Sequence, residues 1–161
     1  MSDDEFIADF ENGSLAHESF HHAEHVRMAF LYLCRYPTLE ALQRFSCSLR
    51  NFASAKGKPE LYHETITWAF VLLIRERMAR AGGPPTWTEF AANNSDLLSW
   101  KNSALRKYYR DETLASDLAR STFLFPDKPV SGIPDTRACE VEMSVARRRF
   151  PRNADTHSRT L

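Results

Sequence analysis

The side chains best suited to chemistry gather in two places, "FHHAEHVRMAF" at residues 20–30 and "LYHETITWAF" at 61–70. His22 and His25 stand three apart, so on a helix both imidazoles face one way and can hold a single ion. His63 and Glu64 head the most apolar segment of the chain. A donor from that second helix would complete the coordination sphere. Mixed nitrogen and oxygen donors suit a divalent metal ion: zinc, iron, manganese or copper. The expected metal site is therefore His22, His25, His63 and Glu64, with Glu64 as fourth ligand or general base. Such a metal would act as a Lewis acid or activate water or dioxygen. A metal-free alternative makes His63 and Glu64 the catalytic acid–base pair, working on a small anionic ligand. In a third alternative, of a different class, the chain is a helical interaction or regulatory protein whose histidines are structural.

Either site requires two distant segments to meet, so the elements that carry them matter. Val26, Ala29, Phe30 and Leu33 recur at helical spacing from Phe20, with Ser19 as N-cap and Pro37 as terminator. Thr38 can cap a second helix over about 39–55, striped by Leu42, Phe45, Leu49 and Phe52, with Gly57 placed to end it. A third helix over about 62–81 is apolar all round between Ile66 and Ile74, Thr67 excepted, as suits a buried central helix. Both connections are short, so neighbouring helices should run antiparallel, and the starts of the first and third then share one end. His22, His25, His63 and Glu64 fall at that end. Two helix N-termini there favour neutral imidazoles, ionised Glu64 and an anion. Lys56 and Lys58, at the end of the second helix, should lie near the same place. Tyr32, Tyr62, Tyr108 and Trp100 read most simply as packing residues, and Thr67 as bonding back to a helix carbonyl.

Beyond the "GGPP" break, Thr86 and Glu89 have capping-box spacing for a short helix ending near residues 93–94. A fourth main helix is expected in "DLLSWKNSALRKYY" and a short one in "TLASDLARSTF". Phe6, Ile7 and Phe10 predict an N-terminal turn packed on the body. From about residue 128 apolar residues thin out and no periodicity survives, so 128–161 reads as a disordered tail. The reading is thus all-α: an up-down helical bundle of about four main helices with short ones, one domain over 1–127, and a tail.

Composition narrows the class. At 161 residues, with 43% hydrophobic and 26% charged, the chain is ordinary for one globular domain. Twenty-one basic residues offset twenty-one acidic ones, so neither nucleic acid nor a membrane surface is an expected partner. The basic "ARRRFPR" run reads as part of a solvated tail. Cys34, Cys47 and Cys139 are too scattered for a disulfide framework, and the first two suit reduced thiols in a core. No apolar run approaches the roughly 20 residues of a membrane span, and "MSDDEF" lacks the apolar core of a secretory signal. The expected location is cytoplasmic; a homo-oligomer is left open.

No His-Glu-x-x-His is present, nor the Glu-x-x-His repeats of di-iron bundles. A different likeness runs through "FHHAEHVRMAFLYL", "YHETIT" and "YYRDETLASDLARSTFLFPD". These resemble segments of a family of small, uncharacterised bacterial proteins with His-x-x-His, Tyr-His-Glu-Thr and Tyr-Tyr…Ser-x-x-Ala-Arg elements. The likeness covers about residues 10–127. Val26 departs from the family's usual Leu, and His21 from a small hydroxyl residue. No activity is attached to that family, so the resemblance implies a site at His22, His25, His63 and Glu64 without a reaction. It adds Tyr109 and Arg120 as accessories.

Overall fold

The longest apolar segment forms the longest-buried element. In the computed structural model, which describes residues 2–16, 20–82, 85–101 and 103–129, helix α4 (Glu64–Arg80) packs against neighbours along much of its length. Thr65, Thr67, Ala69, Phe70, Val71, Leu73, Ile74 and Met78 are all buried. Helix α2 (His22–Arg35) and helix α3 (Thr38–Ala55) cover it, and α2 and α3 also pack on each other. No β-strand occurs among the described residues, and the fold is all-α.

Local chemistry sets most boundaries. Pro37 separates α2 from α3 and its carbonyl takes the Ala41 N–H at 2.8 Å, so Pro37, and not Thr38, is the N-cap of α3. At the other end of α3 Gly57 has φ +69°, while Lys58 N–H reaches the Ala53 carbonyl and Gly57 N–H reaches Ser54, both at 2.9 Å. That crossed pair is a Schellman ending, which needs a left-handed residue where only glycine sits without strain. The chain then makes one 3-10 turn (Pro59–Leu61) and enters α4 through His63.

The N-terminal residues form more than a turn. Helix α1 (Asp3–Glu11) starts with a reciprocal bond between Ser2 and Glu5 and buries Phe6, Ile7 and Phe10 against α2 and α3. Arg27 pairs with Asp3 at 2.6 Å and Arg35 with Asp4. Such exposed pairs are worth at most about 1 kcal/mol, whereas each buried apolar side chain contributes roughly 1.5–3 kcal/mol. The phenylalanines hold α1 in place. Phe10 stands 5.0–6.1 Å, centroid to centroid, from Phe20, Phe45 and Phe52.

The second half is less regular than expected. Thr86 and Glu89 do form the capping box of helix α5 (Trp87–Asn93). The fourth main helix expected over about 96–109 is absent. Two 3-10 turns (Ser95–Leu97 and Ala104–Lys107) stand in its place. Ser103 accepts from the Leu105 N–H, the local competition by which serine breaks helices. The expected short helix is split at Ser116 into α6 (Asp111–Ala115) and α7 (Asp117–Ser121), because the Ser116 hydroxyl caps α7 through the Ala119 N–H. Cys34 and Cys47 are exposed, against the expectation of core thiols. Ser19, Cys139 and the tail from 130 onward, expected to be disordered, lie outside the described residues.

Residues after α7 are drawn back onto α4 by a buried threonine. Thr65 is fully buried, donates to the Thr122 carbonyl at 2.7 Å and accepts from the Leu124 N–H at 3.0 Å. Tyr109, also buried, donates to the Leu124 carbonyl at 2.9 Å.

Two substitutions test these determinants in urea titrations. Gly57→Ala meets no neighbouring atom, so its cost is backbone strain alone, about 1–2 kcal/mol. Thr65→Val leaves one buried acceptor and one buried donor unpaired and should cost more, about 2–4 kcal/mol.

Candidate functional site

The start of α2, the end of α3 and the start of α4 enclose a cavity of about 400 Å³. Its walls are mainly apolar, supplied by Phe20, Val26, Leu49, Phe52, Ile66 and Phe70 among others, and Trp100 and Leu61 stand at the mouth, 59% and 60% exposed. Its polar lining has one sign. His21, His22, His25, His63, Lys56, Lys58 and Arg120 border the cavity, and among the described residues no aspartate or glutamate does. The positive ends of α2 and α4 add to that field.

The sequence-derived residues divide at this point. His22, His25 and His63 line one cavity, and Glu64 does not. The Glu64 carboxylate turns away: it accepts from the Tyr62 hydroxyl at 2.6 Å and pairs with Arg50, whose guanidinium lies over the Tyr62 ring at 4.5 Å. Its charge is already matched by a cation.

His63 is committed at both nitrogens. It is the N-cap of α4, with Nδ1 accepting the Ile66 N–H at 3.3 Å. Because a backbone N–H can only donate, Nδ1 must carry the lone pair. Nε2–H then donates to the Leu114 carbonyl at 2.8 Å, joining the head of α4 to α6. Burial, then the nearby Arg120 charge, pushes the His63 pKa down. A ring so bonded has no lone pair left for a metal or for a substrate proton.

His22 has one nitrogen committed. Nε2–H donates to the Leu97 carbonyl at 2.9 Å, and the ring is flanked by Phe70 at 5.0 Å and Trp100 at 5.3 Å. Burial lowers its pKa too. His25 is half-buried with its ring 4.2 Å from Phe20.

The structure does not bring the four expected ligands together. His63 spends both nitrogens on backbone groups and Glu64 faces Arg50 and Tyr62. Among the described residues no three His, Cys, Asp or Glu side chains are grouped to hold a metal ion. As placed, the four do not fit a mononuclear site, and His63 with Glu64 do not form an acid–base pair open to the cavity.

The remaining polar residues fall on and off the cavity, with Lys56 and Lys58 beside it as expected. His21 caps the start of α2, its backbone N–H on the Glu24 carboxylate at 3.1 Å, and it borders the cavity. Arg120, an accessory by resemblance alone, reaches the mouth and donates to the Glu60 carbonyl at 2.8 Å. Tyr109 is a buried tether and does not reach the cavity. Lys56 donates to the Gly13 carbonyl at 3.3 Å. Among the described residues, neither Lys56 nor Arg120 pairs with a carboxylate. His17 and His157 lie outside the described residues.

The buried imidazoles make stability depend on pH. Both folded pKa values lie below the unfolded value of about 6.5, so the unfolded chain binds protons more readily in acid. Their contribution is fully present above about pH 6.5 and lost as pH falls below it, where protonation of His63 also removes the cap on Ile66 N–H. The unfolding midpoint should drop between pH 7.5 and 5, and His63→Asn, which keeps a capping oxygen, should flatten that drop.

Compared with protein-family models, curated proteins and solved structures, the chain finds no match.

Proposed function

We propose that this protein binds a small organic anion with an apolar body, seated in the cavity between the ends of α2, α3 and α4. One observation carries the reading: a largely apolar cavity of about 400 Å³ is bordered by two lysines, an arginine and four imidazoles, and, among the described residues, by no carboxylate. An apolar body replaces water along the phenylalanine walls, which supplies most of the affinity. The anionic group offsets the charges of Lys56 and Arg120, which in the free protein rest on carbonyl oxygens at 3.3 and 2.8 Å. A cation of the same shape would meet like charge and no acceptor carboxylate, so selection rests on repulsion as well as attraction. Three elements of the family resemblance converge on this place, since His22, His25, Tyr62, His63 and Arg120 all line it. No helix among the described residues is long and apolar enough to cross a membrane; we take the bound molecule to be one that arrives through water.

Matched probes test the proposal in thermal unfolding of the full chain. Phenylacetate should stabilise the protein and phenethylamine, similar in shape but cationic, should not. At a hundredfold excess over Kd the gain is about 2.7 kcal/mol, several degrees in Tm. Lys56→Met combined with Arg120→Met should remove most of it. Equal stabilisation by the two probes would refute charge selection. Stoichiometric zinc, iron, manganese or copper in tag-free protein would return the site to the metal reading.

A further inference from the structure

The cavity is rich in groups that donate hydrogen bonds and poor in groups that accept them. Lysine and arginine only donate, and among the described residues the lining holds no carboxylate, so its acceptors are the hydroxyls of Tyr62 and Thr67 and the imidazole lone pairs. Of the imidazoles, His63 has already given its lone pair to the Ile66 N–H. His22 differs. Its Nε2 faces the Leu97 carbonyl at 2.9 Å, and a carbonyl can only accept, so the ring proton belongs on Nε2 and the lone pair on Nδ1. The aromatic rings of Phe70 and Trp100, at 5.0 and 5.3 Å, hold the imidazole plane between them. Leu97, whose carbonyl fixes the tautomer, is itself fully buried, and the turn that presents it is anchored by Arg77 on Asn94 and Asp96 at 2.8 and 3.1 Å. The acceptor is thus locked in both tautomer and plane, and it costs little to present to a ligand.

We infer that His22 Nδ1 accepts a hydrogen bond from a protic group on the bound anion, so that the cavity takes hydroxylated or N–H-bearing aryl or acyl carboxylates in preference to their plain counterparts. His22 thereby acts as a specificity-determining residue. The inference rests on the reading of the cavity as an anion site and adds the second polar group that its occupant carries. Burial of the ring agrees with it, since a neutral imidazole keeps its lone pair at neutral pH.

Two measurements on the full-length protein test this. In ¹⁵N-resolved NMR at pH 7.5, His22 should show Nδ1 as the unprotonated nitrogen and Nε2 as the protonated one; the opposite tautomer overturns the inference whatever the protein binds. In titrations with phenylacetate and its 2-, 3- and 4-hydroxy isomers, at least one isomer should bind three- to tenfold tighter than phenylacetate, the worth of one hydrogen bond. His22→Gln keeps a donor for Leu97 but has no acceptor at the Nδ1 position, and should bring that ratio to about one. His22→Asn, whose Oδ1 lies near the Nδ1 position, should restore part of it. Four equal affinities in the wild type, or a preference that survives in His22→Gln, overturn the role of His22 and leave the anion cavity standing. Failure of all four to bind overturns both.

Discussion

A helix that is apolar around its circumference cannot face water on any side, and that constraint on α4 organises the rest of the chain. Between Ile66 and Ile74 the helix offers no polar stripe except Thr67. α2, α3 and α7 sheathe most of it, leaving only Leu72 of this run exposed. Because the α3–α4 connection is short, the sheath brings the head of α4 beside the end of α3 and the head of α2. The cavity is where these three ends fail to fill the space between them, and their polar termini give it its charge.

Burial also obliges the polar atoms at that end to find partners, since each unpaired one would cost about 1–3 kcal/mol. His63 solves two such problems, taking the Ile66 N–H and giving its own proton to Leu114. Thr65 does the same between Thr122 and Leu124. Arg120 and His22 reach the carbonyls of Glu60 and Leu97. These bonds join α4 and its surroundings to segments far along the chain. They explain why short pieces such as α6 and α7, marginal alone, have a defined place. Chemistry-bearing residue types are being used as fasteners, and only what they leave over is offered to a ligand.

What was legible in the sequence was local. Pro37, Gly57 and the Thr86–Glu89 pair mark boundaries because their effects act within four residues, and the structure follows them closely. The meeting of His22, His25 and His63 at one cavity also follows from helix order and short connections. The roles of individual atoms do not. His63 is bonded to a residue 51 positions away and His22 to one 75 away, and no spacing rule reaches that far. Glu64 turns from the cavity for a nearer reason: Tyr62, two residues before it, and Arg50 on α3 engage its carboxylate. The region expected as a fourth main helix has helical periodicity in its apolar residues, but Ser103 gives the backbone another bond to make. Cys34 and Cys47 fell on the outer faces of their helices, which composition cannot distinguish from the inner.

The stretch between α3 and α4 has a consequence for how this protein can vary over generations. Residues 56–63 contain a left-handed glycine, a single 3-10 turn, the carbonyl that receives Arg120 and the residue that caps α4. Each of these has an assigned place, leaving no slack. Side chains there can drift, but inserting or deleting one residue would put the glycine, the Glu60 carbonyl or the His63 cap out of register with its partner. Among descendants of this sequence that keep the fold, the length of that stretch should be a more durable heirloom than its letters.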